Sequence, residues 1–272
     1  MNILDQIVEK RKIDVELLKT ETSIKELMSK PLFSKPKISL KESILNPVKT
    51  GIIAEFKRNS PSKGALNLDA SVEMVTKGYV NSGASALSIL TEPNFFKGSN
   101  EDFIQGRRLN KCPILRKDFV FDEWQVFETK SYGADVILLI ASILQPQETK
   151  VLAKLSKEIG LEVLLEIHDK TELDLHLNEF IDVVGVNNRN LKTFETNIET
   201  SLQLASMIPD EFLKISESGL YSIEQLEILY LSGYRGFLIG ESFMKSSNPE
   251  MAAFDFMNGW MEIKTNLLSG IA

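Results

Sequence analysis

Residues 51–64 read Gly-Ile-Ile-Ala-Glu-Phe-Lys-Arg-Asn-Ser-Pro-Ser-Lys-Gly. The first half has the make-up of a buried strand, the second that of the loop leaving it. Alternate side chains of a strand share a face. Ile53, Glu55 and Lys57 therefore point one way, and Ile52, Ala54 and Phe56 the other. The second face is wholly apolar and needs an apolar layer to pack on. The first ends in a carboxylate and an ammonium, which are costly to bury unless paired or set in a polar cavity. A strand end emerging into solvent would satisfy the same pattern. The stretch that follows favours the cavity: Ser60, Pro61, Ser62 and Gly64 make a stiff, hydroxyl-bearing turn suited to holding a ligand beside the two charges.

Outward from this stretch one pattern recurs. Apolar runs at 51–56, 85–90, 113–116, 135–140, 162–167, 183–186, 212–215 and 236–239 are separated by helical patterns at 70–81, 102–110, 122–131, 147–159, 170–180, 198–207 and 223–231. Continuous apolar strands alternating with amphipathic helices indicate a parallel sheet covered by helices. Helices stopping at Gly83, Gly133 and Gly233 just before the next strand fit that reading. Eight such units match an α/β fold of the (β/α)8 TIM-barrel type. An open doubly wound sheet is the alternative, weakened because no G-x-G-x-x-G opens a helix after a strand. Residues 252–268 read as a final helix. Before the first strand, 3–19 fits an amphipathic helix except for a weak patch at Lys10–Ile13, Thr22-Ser23 caps a short helix, and 40–45 makes one helical turn. The chain is read as a single domain, 1–272: an N-terminal helical extension over 1–50 that covers the barrel mouth, and the barrel over 51–272.

The composition of the 272 residues, 43% hydrophobic and 25% charged, is that of an ordinary globular chain. A net charge of -7 gives no sign of the basic stripe a nucleic-acid binder needs, yet leaves room for a local cationic pocket and an anionic small molecule. The single cysteine, Cys112, forms no intrachain disulfide and suits the reducing cytoplasm. The N-terminus mixes acids and bases without an apolar run, unlike a signal peptide, and the longest apolar run, 136–144, is too short to span a bilayer.

In a barrel, function gathers at the C-terminal ends of the strands. The exits there carry Glu55 and Lys57; Ser88, Thr91 and Glu92; Lys117 and Asp118; Glu166; Asn187 and Arg189; Glu217, Ser218 and Gly219; and Gly240, Glu241 and Ser242. Only the fourth strand ends without a polar group. Seven polar exits on one rim exceed what solvated strand ends explain. The last two suit phosphate, because glycines let backbone N–H groups approach a ligand and a helix start adds partial positive charge. Lysines beside glutamates suit proton transfer, with a lysine as general acid and a carboxylate as base; a lysine forming a Schiff base fits equally. His168, just past Glu166, fits either the rim or a solvated loop, with the loop favoured; His176 reads as an outer-face helical residue, and Cys112 as structural. No His/Cys cluster suggests zinc.

With these residues placed, the chain resembles the indole-3-glycerol phosphate synthases of tryptophan biosynthesis. The resemblance rests on I-I-A-E-F-K-R-N-S-P-S-K-G (52–64), S-I-L-T-E-P-N-F-F-K-G-S (88–99), P-I-L-R-K-D-F (113–119), L-L-E-I-H-D (164–169), V-N-N-R-N-L (186–191), S-E-S-G (216–219) and F-L-I-G-E-S-F-M (237–244), and it extends over nearly the whole chain. It implies ring closure of 1-(2-carboxyphenylamino)-1-deoxyribulose 5-phosphate with loss of carbon dioxide and water, without cofactor or metal. Carried over by motif, Lys117 is the general acid at the substrate carbonyl, and Glu166 the acid or base of dehydration. Lys57 binds an anionic end and takes part in dehydration. Glu55 positions the lysines and the anilino nitrogen, and Asn187 and Ser218 orient the substrate. Ser60, Arg189, Gly219 and Gly240 hold the phosphate and carboxylate. Phe95, Phe96, Phe119 and Leu138 surround the aromatic ring, and Glu217 and Glu241 complete the binding set. Glu241 stands where some members have a small hydroxyl residue. The implied partner is a small anionic substrate, with neither nucleic acid nor membrane, and the expected state is a monomer. The rival readings are a phosphosugar isomerase barrel, a Schiff-base aldolase, and an inactive barrel that only binds a ligand.

Overall fold

The computed structural model describes residues 3–190 and 194–270. Leu191, which closes the V-N-N-R-N-L motif, lies outside them. Eight strands, β1 (Ile52–Phe56), β2 (Ala86–Leu90), β3 (Ile114–Lys117), β4 (Val136–Ile140), β5 (Glu162–Ile167), β6 (Val183–Asn187), β7 (Leu213–Glu217) and β8 (Gly236–Ile239), form a closed barrel. Every neighbouring pair is parallel, and β8 returns to β1 through Ile52↔Phe237 and Ala54↔Ile239. The open doubly wound sheet is thereby excluded. Helices α1 (Ile3–Glu21), α2 (Ile24–Ser29) and α3 (Leu40–Leu45) precede the barrel. Helices α4 (Val72–Asn81), α5 (Asn100–Leu109), α6 (Glu123–Ser131), α7 (Pro146–Glu158), α8 (Lys170–His176), α9 (Glu199–Leu204), α10 (Ile223–Leu231), α11 (Glu241–Met244) and α12 (Pro249–Ser269) surround it. No helix among the described residues is long and apolar enough to cross a membrane.

The strand alternation produces two apolar layers. Ile52, Ala54 and Phe56 join the outer layer between strands and helices, with Val75 and Tyr79 of α4 and Trp260 of α12. Ile53 joins the barrel interior with Leu115, Leu138, Leu164, Ile215 and Leu238. Burying a side chain of this size stabilises by roughly 1.5–3 kcal/mol, so these layers supply the main drive to fold. Helix stops follow backbone freedom: Gly83, Gly133 and Gly233 sit at φ of 94°, 82° and 100°, the left-handed region where a Cβ is disfavoured. Two helices are shorter than their patterns, which run on to 180 and 207. α8 ends at His176 and α9 at Leu204, because the continuing apolar residues Leu177, Phe180 and Ile208 pack on the outer layer from loop backbone.

Residues 3–50 reach both ends of the barrel. α1 lies over the C-terminal ends, where Ile3, Leu4 and Ile7 face the interior. α3 closes the opposite end: Leu40 and Ile44 join the interior cluster. Glu162, at the start of β5, accepts from Ser39 Oγ at 2.6 Å and Leu40 N at 2.7 Å, neutralising the free N–H groups of that helix start. The weak patch in the α1 pattern has a physical cause. Ile7, Arg11 and Val15 form one buried stripe, and Arg11 in its middle pairs with Asp118 through Nε–Oδ1 at 2.9 Å and Nη2–Oδ2 at 2.7 Å.

Candidate active site

Alternation and register bring the site together. Parallel pairing sets Ser88 beside Glu55, Lys117 beside Leu90, and Glu217 beside both Asn187 and Leu238. The inward positions nearest the C-terminal ends are thus Glu55, Ser88, Lys117, Glu166, Asn187 and Glu217. They line one pocket of about 160 Å³, Ser88 excepted, which touches Glu55 from below at 3.4 Å.

Lys117 stands at its centre. Its ammonium donates to Glu166 Oε2 at 2.7 Å and to Glu217 Oε2 at 2.8 Å. Burial favours the neutral amine, but the fields of Glu166, Glu217 and Glu55 outweigh it and push the lysine pKa up. Glu166 moves the other way: burial opposes its charge, yet Lys117, His168 and the Asn187 Nδ2 bond at 3.0 Å hold it below the usual carboxylate range. Glu217 is pushed up to about 7, because burial and the neighbouring Glu166 charge exceed what Lys117 returns. Its Oε1 has no hydrogen-bond partner among the described residues. Room for it depends on Gly185, where a Cβ would come 2.2 Å from that oxygen.

Glu55 and Lys57 form a second pair, Nζ to Oε1 at 2.6 Å. Gly240 packs against it so closely that a Cβ would lie 2.8 Å from the Glu55 Cβ. Beyond Lys57 the 59–65 loop folds into a ribbon, with Asn59 opposite Ala65 and Ser60 opposite Gly64. Ser60 Oγ lies 3.0 Å from Ser62 Oγ, and Ser62 accepts from Arg189 Nη1 at 3.1 Å. Ser60, Ser62, Arg189 and Ser218 line the same pocket.

A smaller cavity opens from it between the seventh and eighth strand ends, lined by Lys57, Arg189, Ser218, Gly219, Gly240, Glu241 and Ser242. Ser218 and Gly219 both adopt left-handed backbone, φ 67° and 69°. Only glycine fits the second position, since a Cβ would meet Thr196 at 2.6 Å. Without a side chain at Gly219, a ligand has room to come close to the backbone of this turn. Ser242 Oγ is buried without a partner among the described residues. Glu241 turns its carboxylate to Arg189 Nη2 at 3.1 Å and Lys245 Nζ at 2.6 Å. The two cations hold its pKa down against burial.

The opposite wall is apolar. Phe96 and Phe119 have ring centroids 6.0 Å apart at 39°, and Leu138, Ile140 and Leu238 extend the surface beneath Ile3, Leu4 and Ile7. Glu92 holds the turn presenting Phe96 by accepting from the N–H groups of Asn94, Phe95 and Phe96 at 2.8, 2.7 and 2.9 Å. Phe95 packs beside the interior cluster but does not line the pocket.

Three placements differ from expectation. His168 takes the rim position rather than the favoured solvated loop: its side chain is 13% exposed, held by Glu172 and lining the pocket. His176 lies buried between α8 and α7, with Nδ1 2.8 Å from Thr149 Oγ1, because α8 turns that side inward. Asp118, the neighbour of Lys117, turns away into a buried network with Arg11, Arg116 and Thr91. The sequence reading did not single out Ile3, Leu4 and Ile7 for the pocket; their spacing marks a packing face but not what it packs on. Cys112 is buried, its thiol pushed up to about 11 by burial, as suits a structural residue.

Residues 4–255 match the family model described as indole-3-glycerol phosphate synthase. The chain is similar to the indole-3-glycerol phosphate synthase of Bacteroides thetaiotaomicron, 43% identical over 256 residues covering 94% of this chain and 98% of that one. It is 38% identical to the indole-3-glycerol phosphate synthase of Acetivibrio thermocellus over 247 residues, 90% of this chain and 95% of the relative. Among solved structures, 3-hexulose-6-phosphate synthase from Salmonella typhimurium superposes with a TM-score of 0.61 at 10% identity, over 78% of this chain and 98% of that one, a likeness of fold alone. Whole-length matches at this level of identity settle the relationship: the chain belongs to the indole-3-glycerol phosphate synthase family.

Proposed function

We propose the following division of labour for the reaction that family membership assigns to this chain, the decarboxylating and dehydrating closure of 1-(2-carboxyphenylamino)-1-deoxyribulose 5-phosphate to indole-3-glycerol phosphate. Lys117 is the general acid that protonates the substrate carbonyl oxygen as the new ring closes. Glu166 is the proton donor of the dehydration. Lys57, placed by Glu55, contacts an anionic end and takes part in the dehydration, and Glu55 also positions the anilino nitrogen. Asn187 and Ser218 orient the sugar chain. The phosphate lies against the N–H groups of Gly219 and Gly240 with Ser242, Arg189 and Ser60 around it, and Glu241 holds Arg189 in place. Phe96, Phe119 and Leu138 enclose the carboxyphenyl ring, and α1 excludes water above it.

The observation that carries this reading is Lys117 held between Glu166 and Glu217 at 2.7 and 2.8 Å beside an apolar wall. A lysine nucleophile must be neutral. Two carboxylates keep this one charged, which favours the acid role over a Schiff base. The pocket is matched to a small anionic molecule, and we read the protein as a monomer of the cytoplasm that engages neither nucleic acid nor membrane.

Indole fluorescence on adding the substrate tests the assignment. Lys117→Ala should lower turnover by roughly 100- to 10,000-fold, the usual worth of a placed general acid. Equal turnover in both proteins would move that role to Lys57. No product from folded wild-type chain would overturn the reading.

A further inference from the structure

His168 has no task in that division of labour, yet its placement is specific. It follows β5 directly, two residues beyond Glu166. Its backbone N–H donates to Glu172 Oε2 at 2.7 Å, and its Nδ1 lies 3.1 Å from the same oxygen, so Nδ1 carries a hydrogen. These two contacts fix the ring with Nε2 toward the pocket. Nε2 is buried, has no hydrogen-bond partner among the described residues and lies 3.7 Å from Glu166 Oε1. A buried polar atom left unpaired in a functional pocket calls for an explanation.

The chemistry supplies one. The aryl carboxylate leaves as neutral carbon dioxide and the hydroxyl leaves as water, so each turnover takes up one proton from solvent. We propose that His168 stores this proton as an imidazolium and passes it from Nε2 to Glu166 during the dehydration. The inference rests on the roles given above to Glu166 and Lys117. In the step, the Nε2–H bond breaks and an O–H bond forms on Glu166, leaving the neutral Nδ1–H tautomer against Glu172. Glu166 then gives the proton to the leaving hydroxyl as the C–O bond breaks. The proton lost from the carbon beside nitrogen returns to the Lys117 amine. Once product departs, Nε2 takes a replacement from water in the open pocket.

The surrounding charges set the order of events. His168 faces Glu166 of β5, Glu172 of α8 and Glu217 of β7, with Arg189 on the same pocket wall. Burial opposes the imidazolium, but the Glu172 hydrogen bond and the three carboxylate fields favour it and raise its pKa. Glu166 stays ionised while Lys117 is charged. When Lys117 has given its proton to the substrate, that field vanishes, and burial then drives Glu166 to accept a proton from its neighbour.

The test follows indole formation against pH in wild type, His168→Asn, Glu172→Gln and Glu166→Gln. Wild-type kcat should fall on the alkaline side as the imidazolium deprotonates; His168→Asn should lower kcat near neutrality by about 100-fold with KM unchanged, lack that alkaline fall, and recover in part with imidazole buffer. Glu172→Gln keeps the imidazole and loses one carboxylate that favours its charge, so the alkaline fall should move to lower pH. A wild-type kcat and pH profile in His168→Asn would overturn the inference. So would an equal loss at every pH with no rescue and no displacement by Glu172→Gln, the mark of a packing role. Full turnover in Glu166→Gln would remove Glu166 from the reaction, and the inference with it. Inactive Glu166→Gln beside unimpaired His168→Asn would sink the inference alone.

Discussion

Replacing Arg11 by Met should uncouple α1 from the barrel mouth while keeping the aliphatic stem that fills its slot. Arg11 is 3% exposed and makes two hydrogen bonds to Asp118, at 2.9 and 2.7 Å. Removing one member of a buried ion pair strands the other charge and costs about 3–5 kcal/mol. Asp118 would retain Arg116 at 3.0 Å and Thr91 at 2.7 Å, which places the loss at the lower end. For a chain of this size about 3 kcal/mol corresponds to a fall in Tm of roughly 6–12 °C. The functional effect should appear in KM more than in kcat, because Ile3, Leu4 and Ile7, which cap the pocket, sit one and two turns before Arg11. Acid sensitivity follows from the same pair. Burial opposes the Asp118 charge, but Arg11 and Arg116 hold its pKa below the usual range. Its contribution is therefore present above the unfolded carboxylate value and lost as pH falls through the depressed folded value. Without Arg11 the folded value moves back up, so acid unfolding should begin at higher pH. Thermal unfolding at neutral and acid pH, with steady-state kinetics, measures all three. A Tm drop under about 2 °C, worth under about 1 kcal/mol, together with an unchanged KM would refute the claim that this pair fastens α1.

Two further substitutions probe close packing and charge. Gly240→Ala would bring a Cβ within 2.8 Å of the Glu55 Cβ and 2.9 Å of Oε1; denaturant titration should show a loss of about 1–3 kcal/mol, and turnover should fall because Glu55 can no longer place Lys57. Glu217, driven up to about 7 by burial and Glu166 against the pull of Lys117, favours the folded state fully below its unfolded pKa and loses that contribution as pH rises through about 7. Glu217→Gln cannot ionise, so its stability, read by urea unfolding across pH, should lack this decline, while turnover drops because Lys117 loses one of its two carboxylate partners.

The barrel was legible because each unit carries its own local signal. A wholly apolar strand face, a capping serine and a stopping glycine act within a dozen residues, as at Ser71, Val72–Asn81 and Gly83. The chemistry-bearing positions were legible for a related reason: in a parallel barrel the period of two fixes which strand-end residues turn inward, and Glu55, Lys117, Glu166, Asn187 and Glu217 stand at those positions on five strands. Their motifs supplied the family.

Contacts made across the fold gave no such signal. Nothing near Arg11 in sequence says that its partner is Asp118, 107 residues away, so the buried arginine looked like a flaw in an amphipathic pattern. His168 is the local counterpart: its place just past Glu166 suggested the rim as well as a solvated loop, and only the turn into α8, which sets Glu172 against its ring, decided for the rim. The division of residues 3–50 between mouth and base depended on Glu162 meeting Leu40 and on Ile7 entering the interior cluster. Periodicity is a one-dimensional property and records which side of an element is buried. Which charge meets which is decided by chain closure in three dimensions. Local sequence therefore determined the barrel and its inward residues, while tertiary structure alone set the ionisation of Lys117, Glu166 and Glu217, because those charges are fixed by groups on other strands.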